Sequence, residues 1–226
     1  MPERTRRRIL AIGAHPDDVE IGAGATLLAH RAAGDEVTVV ILSSGARGGC
    51  AQIRAAEAQA AADRLGARLF LYDLPDTEIS AGKATIELIE SVVHAVRPDL
   101  VYTHSAQDTH QDHRAVHQAV LVAARSVATV ACFQSPSTTM DFRPNRFVDV
   151  SAHIRGKLEL LACFASQQAI RDYLAEDLVL ATARYWSRHA GTPYAEPFEV
   201  VRERVDLVAP AQLHGIPRQQ AMRAAA

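Results

Sequence analysis

A chain of 226 residues that is 48% hydrophobic and 22% charged can bury an ordinary globular core, and its length favours one large domain over two small ones. A formal net charge of −2 excludes a partner held by a broad basic surface, so no nucleic acid is expected; no apolar stretch approaches the ~18 residues of a membrane span. The three cysteines, Cys50, Cys132 and Cys163, form no CxxC pair, which argues against a disulfide framework or a cysteine zinc site and suits a reducing cytoplasm.

The chain opens on Arg4, Arg6, Arg7 and Arg8, read as part of a solvated tail over residues 1–7, and the apolar run behind them is too short for a signal-peptide core. The pattern then predicts a strand over 8–14, a helix over 21–33, a strand over 36–43 and a helix over 52–65. It continues with a strand over 68–72, a helix over 84–96, a strand over 100–103, a helix over 113–128 and a strand over 130–133. Such alternation implies an α/β fold around a doubly wound, mostly parallel sheet. The runs 37–42 and 100–102 are continuously apolar, as in strands covered by helices on both faces.

Beyond residue 133 the signal loosens. Ser135-Pro136-Ser137-Thr138-Thr139 reads as a loop, 147–150 as a short strand, 154–165 as a helix and 197–205 as the last regular piece. Nothing linker-like divides the chain, so the C-terminal third is expected to extend or cover the sheet of a single domain over 8–205. The Ala-rich end, 217–226, is read as a second tail.

The chemistry concentrates in two short clusters, His15-Pro16-Asp17-Asp18 after the first strand and His110-Gln111-Asp112-His113 after the strand at 100–103. In an open parallel sheet ligands gather outside the carboxyl ends of strands, where both clusters fall. Imidazole nitrogen with carboxylate oxygen suits zinc and similar divalent ions, and three protein ligands leave a position for water. Pro16 presets a helical turn and places Asp17 and Asp18 at a helix N-terminus, where free amides favour ionised carboxylates. Each cluster also has a plainer reading: Pro-Asp-Asp as a helix cap, and the histidines as surface residues at a helix start. The coincidence of both at strand ends favours a shared metal site. Arg47 and Arg54 could hold an anionic or polyhydroxylated part of a substrate, or Arg54 could form a solvated ion pair with Glu57 three residues on.

Ala14-His15-Pro16-Asp17-Asp18, the following VEIGAGATL and the later THSAQDTHQDH resemble the signature of PIG-L/LmbE-like deacetylases. The likeness extends over about residues 8–202, with Ser44-Gly45-Ala46-Arg47-Gly48-Gly49, Leu74-Pro75-Asp76, Ser166-Gln167 and Tyr194-Ala195-Glu196-Pro197-Phe198. The resemblance implies a Rossmann-like fold and a zinc-dependent hydrolase removing N-acyl groups, usually acetyl from N-acetylglucosamine units. It implies His15, Asp18 and His113 as zinc ligands, Asp17 as general base, His110 as acid or oxyanion stabiliser, and Asp112 as the residue that orients a histidine. Asp76 and Asp108 are expected beside the ligands or, with Arg47 and Arg54, against the substrate. The chain departs from the family where a glutamate often stands at Ala46 and where some sugar-thiol precursor deacetylases carry tyrosine at Asp108.

The expected partner is therefore a small acetylated amino sugar or glycoconjugate, and the composition is compatible with a homo-oligomer. Two nitrogens and one oxygen also accept Fe2+, Co2+ or Ni2+ in place of Zn2+. Two alternatives stand beside this reading: an O-acyl esterase on the same metal site, and a Rossmann-like nucleotide-binding protein suggested by Gly22-Ala23-Gly24, which lacks the third glycine at the right spacing.

Overall fold

The computed structural model describes residues 6–205. The tails expected at 1–7 and 217–226 lie outside the described residues except for Arg6 and Arg7; the Arg7 backbone N–H donates to Asp35. The strands are β1 (Arg8–Gly13), β2 (Glu36–Ile41), β3 (Arg68–Leu71), β4 (Leu100–His104), β5 (Thr129–Phe133), β6 (Arg146–Asp149) and β7 (Ala195–Glu203). The helices are α1 (Asp18–Ala32), α2 (Ala51–Leu65), α3 (Lys83–Val96), α4 (Gln111–Ala123), α5 (Ile154–Leu161), α6 (Ala165–Gln168) and α7 (Glu176–Ala190). Among the described residues no helix is long and apolar enough to cross a membrane.

All strands form one seven-stranded sheet in the order β3-β2-β1-β4-β5-β7-β6. Strands β1 to β5 run parallel, while β7 pairs antiparallel with both β5 and β6. The strand alternation sorts residues to two faces: Ile9, Ala11, Val37 and Val39 pack with α1 and α2, whereas Leu10, Ile12, Val40 and Leu42 pack with α3 and α4. Both faces are covered, so β1 and β2 are apolar at nearly every position. The chain leaves β1 toward β2 and β3, then returns to β4 on the other side of β1. That reversal creates a crevice between the carboxyl ends of β1 and β4, the usual ligand position in such sheets.

Several boundaries differ from the sequence expectation. Helices α1 and α4 begin earlier, so Asp18, Asp112 and His113 lie in first helical turns. The helix expected over 154–165 is two pieces, α5 and α6, and α7 was not anticipated. The C-terminal third extends the sheet with β6 and β7 and covers it with α5.

Helix α1, whose start carries the first cluster, is gripped through its backbone. The N–H groups of Ala25 and Thr26 donate to Glu196 Oε1 and Oε2 at 3.2 and 2.8 Å. Lys157 Nζ donates to Ile21 O and to Glu196 Oε1, each at 2.6 Å. Strand β7 and helix α5 thus hold α1 over its first two turns. Gly22 belongs to the same packing: a Cβ there would lie 2.3 Å from the Phe133 ring, so this glycine serves close helix-to-strand contact and not a dinucleotide phosphate.

Lys157 and Glu196 are almost completely buried, and removing one partner leaves a charge without its counterion. Lys157→Met is expected to lower unfolding stability by about 3–5 kcal/mol in urea titrations. A loss below about 1 kcal/mol would show that the pair does not hold α1.

Candidate active site

The site is built where β1 and β4 separate. Their pairing ends at Ala11 and Tyr102, and further along the Ala14 N–H donates to the side chain of His104 at 3.1 Å instead of to a strand carbonyl. His15 follows immediately, and α4 brings His113 to the opposite wall. His15 Nδ1 lies 3.5 Å from Asp18 Oδ2, and His113 Nε2 lies 3.3 Å from Asp18 Oδ1. The two histidines thus reach different oxygens of one carboxylate, each within the ~3.3–3.6 Å that separates tetrahedral donors around a metal with bonds of about 2.0–2.2 Å. Among the described residues, the donor sets close enough to hold an ion are His15 with His110 and His113, Asp18 with His104 and His113, and His15 with Asp76 and Asp112.

The far side of each imidazole decides which nitrogen is free. His15 Nε2 faces Asp112 Oδ2 at 3.0 Å and Asp76 Oδ1 at 3.1 Å. A carboxylate accepts only, so that nitrogen keeps its proton, and Nδ1 is the nitrogen whose proton a cation could displace beside Asp18. His113 Nδ1 likewise donates to Asp108 Oδ2 at 3.0 Å, which frees Nε2. Carboxylates behind ligating histidines fix the tautomer and raise ligand basicity. Asp112 is itself held by the backbone N–H groups of Thr77 and Ile79 at 2.7 and 3.2 Å. Asp108 also accepts from Ser135, Ser137 and the His110 N–H. Four donors fill its lone pairs, and of the two places expected for it Asp108 takes the one beside the ligands, holding His113.

Charge follows the same geometry. Burial opposes protonation of His15, but Asp112, Asp18 and Asp76 outweigh it and raise its pKa to about 11. Burial likewise opposes His113, and Asp18 with Asp108 raises it to about 9. Hydrogen bonding to His15 lowers Asp76 to about 2. The pocket therefore favours positive charge, which a proton or a cation can supply.

Asp17 differs from its neighbour in every respect. It occupies the position before α1 with φ at 94°, a left-handed conformation uncommon for a residue with a side chain, and its carboxylate makes no capping hydrogen bond. The plain cap reading thus fails for this residue. Its Oδ2 is buried without a partner, and burial, reinforced by Asp18, raises its pKa to about 8 against the pull of Arg54. Arg54 is buried, donates to Gly45 O and Pro16 O at 2.8 and 2.7 Å, and approaches Asp17 Oδ1 at 3.7 Å. The alternative of a solvated Arg54–Glu57 pair gives way, because Glu57 accepts instead from Ser166. The Arg47 side chain is 70% exposed and 4.0 Å from Glu78, while its backbone N–H donates to Asp76.

His110 caps α4: its Nδ1 accepts the Asp112 N–H at 3.2 Å, which leaves the proton on Nε2. The ring stacks on His113 at 4.5 Å, and burial, His113 and His15 lower its pKa. His104, beneath His113, is a residue the sequence reasoning missed. It stacks on that ring at 3.9 Å, and complete burial lowers its pKa to about 4. Its Nε2 sits 3.1 Å from the Ala14 nitrogen and 3.2 Å from Asp18 Oδ2, so it supports both His113 and the turn that carries Asp18. The available signal was a histidine ending the apolar run of β4.

Residues 10–124 match the sequence profile of PIG-L, the GlcNAc-PI de-N-acetylase family. The chain belongs to the PIG-L family. It is similar to the uncharacterized deacetylase YaiS of Escherichia coli K12, with 37% identity over 156 residues that cover 64% of this chain and 83% of that protein. It is 27% identical to the diacetylchitobiose deacetylase of Thermococcus kodakarensis, over 86% of this chain and 83% of the relative. The crystal structure of GalB, the 4-carboxy-2-hydroxymuconate hydratase of Pseudomonas putida KT2440, superposes with a TM-score of 0.77 at 26% identity, covering 89% of this chain and 98% of that one. The proteins that this chain resembles thus include deacetylases and a hydratase.

In this PIG-L chain the clustered residues open onto a cavity of about 390 Å³. It is lined by His15, Asp17, Asp18, His110 and His113 together with Arg47, Arg54 and Gln167. Gly45 permits the position of Arg54, since it has φ at 70° and a Cβ there would lie 2.0 Å from Arg54 Nη1. Gly34 has φ at 85° with open space around it. Both alanine variants should lose about 1–2 kcal/mol to the left-handed backbone, and Gly45→Ala should lose a further ~1–3 kcal/mol to the clash. Equal losses in denaturant titrations would show that Arg54 does not occupy this position.

Proposed function

We propose that the protein is a metal-dependent N-deacetylase that hydrolyses the acetamido group of an amino sugar or its glycoconjugate. The observation that carries this reading is Asp17: a buried carboxylate with an unpartnered oxygen, set beside His15, Asp18 and His113. Similarity to YaiS and to the diacetylchitobiose deacetylase supports the reaction and the substrate class.

His15 through Nδ1, His113 through Nε2 and Asp18 would hold Zn2+, with Fe2+, Co2+ and Ni2+ accepted by the same donors. Bound there, the ion supplies Lewis acidity, lowering the pKa of a water and polarising the substrate carbonyl. Asp17 takes the proton of the attacking water. Its backbone conformation keeps it out of helix capping, and Arg54 braces the turn that carries it. The His110 Nε2–H donates to the oxygen that gains charge as the carbonyl carbon becomes tetrahedral. Because His110 Nδ1 accepts a backbone N–H, the ring works as a neutral donor. Asp17 then returns its proton to the amine nitrogen as the C–N bond breaks, and burial, which favours its acid form, suits it to this transfer. Acetate and the free amine result.

Asp17→Asn should retain about one equivalent of bound metal and lose ~10²–10⁴-fold in turnover of N-acetylglucosamine conjugates, followed by acetate release. Asp18→Ala should lose the metal. Equal metal loss in both variants, or faster acetate release from O-acetyl than from N-acetyl sugars, would contradict the proposal.

A further inference from the structure

A second cavity of about 260 Å³ adjoins the first and shares Ile21, Pro136 and Tyr173 with it. Its remaining apolar wall comes from Leu178, Val179 and Ala183 on α7 and from Pro197 on β7. Most of the polar side chains around it are already engaged. Lys157 is held by Glu196 and Ile21 O, and Ser135 donates to Asp108. Gln134 Oε1 accepts from Trp186, and Thr182 donates to Leu178 O. A ligand in this space meets hydrocarbon and few free hydrogen-bonding groups, which suits an apolar guest.

The two cavities divide the substrate between them. The first is lined by the polar side chains of Arg47, Arg54 and Gln167, of which Arg47 is exposed and can donate to hydroxyl groups. An amide diverges from its carbonyl carbon into an amine half and an acyl half. With the polyhydroxylated amine half against the arginines, the acyl half points across the site toward Ile21, Pro136 and Tyr173, where the second cavity opens.

We propose that this second cavity is an acyl-chain subsite, and that the enzyme accepts straight N-acyl groups longer than acetyl. A cavity of about 150 Å³ holds a benzene ring, so this one has room for roughly six to eight carbons. The occupant rests on the N-deacetylase reading, whereas the apolar cavity does not depend on it.

The test compares acetyl, butanoyl, hexanoyl and octanoyl glucosamine with the metal-loaded protein. In parallel, calorimetry measures binding of the matching carboxylates, acetate to octanoate, which needs no turnover. The expected result is a rise of ~3–4-fold in kcat/KM per added methylene up to hexanoyl, with a parallel rise in carboxylate affinity. Ala183→Leu fills the cavity and should reduce the hexanoyl-to-acetyl ratio; Thr182→Phe, at an exposed position on the rim, should do the same if the first variant folds poorly. Flat or falling chain-length dependence in both measurements overturns the subsite and leaves deacetylation standing. Graded carboxylate binding without hydrolysis of any N-acyl sugar supports the apolar subsite and overturns the deacetylase reading.

Discussion

The contacts of Asp112 with His15 and of Asp108 with His113 hold the rest of the site in place. Each carboxylate is anchored before it reaches its histidine, Asp112 by the N–H groups of Thr77 and Ile79, and Asp108 by Ser135, Ser137 and the His110 N–H. The loops after β1, β3, β4 and β5 are thereby tied together across the carboxyl edge of the sheet. Each contact also turns one ring nitrogen outward and protonated, and the other inward toward Asp18. Carboxylates gathered around two histidines create a demand for positive charge, which appears as the upward pull on His15 and His113. A divalent cation would meet that demand.

Two adjacent aspartates acquire opposite characters from one turn of backbone. Asp18 begins α1, accepts the His15 N–H at 2.7 Å and faces His113, with its pKa held well below the usual range by His113 and His104 despite burial. Asp17, in a left-handed conformation, buries an oxygen that no protein donor reaches. Strain of this kind persists only where surrounding contacts over-determine it. Arg54 on Pro16 O supplies one such contact, and the Lys157–Glu196 grip on α1 supplies another.

The sheet was legible because buried parallel strands such as 37–42 are apolar throughout, and the site was legible because both motifs are local in sequence. Long-range partners were not. Arg54 and Glu57 lie on one helix and invite a pairing by spacing, yet each bonds to a residue far away, Pro16 and Ser166 respectively. His104 looks like the end of a strand until Ala14 and His113 are placed against it. Asp108 resembles a loop residue until its four donors converge from two loops. Helix α7 escaped notice because its buried stripe is thin: Val179, Ala183 and Ser187 are its buried residues, and one is polar. The second cavity depends on that helix and could not be foreseen without it.

Crystallography of the metal-loaded protein with anomalous scattering at the metal edge tests the central claim most directly. One ion is predicted, ligated by His15 Nδ1, Asp18 and His113 Nε2, with Asp112 and Asp108 still behind the two rings and Asp17 outside the ligand set. An ion ligated by His104, or one that draws Asp17 into its coordination in place of Asp18, would contradict the account.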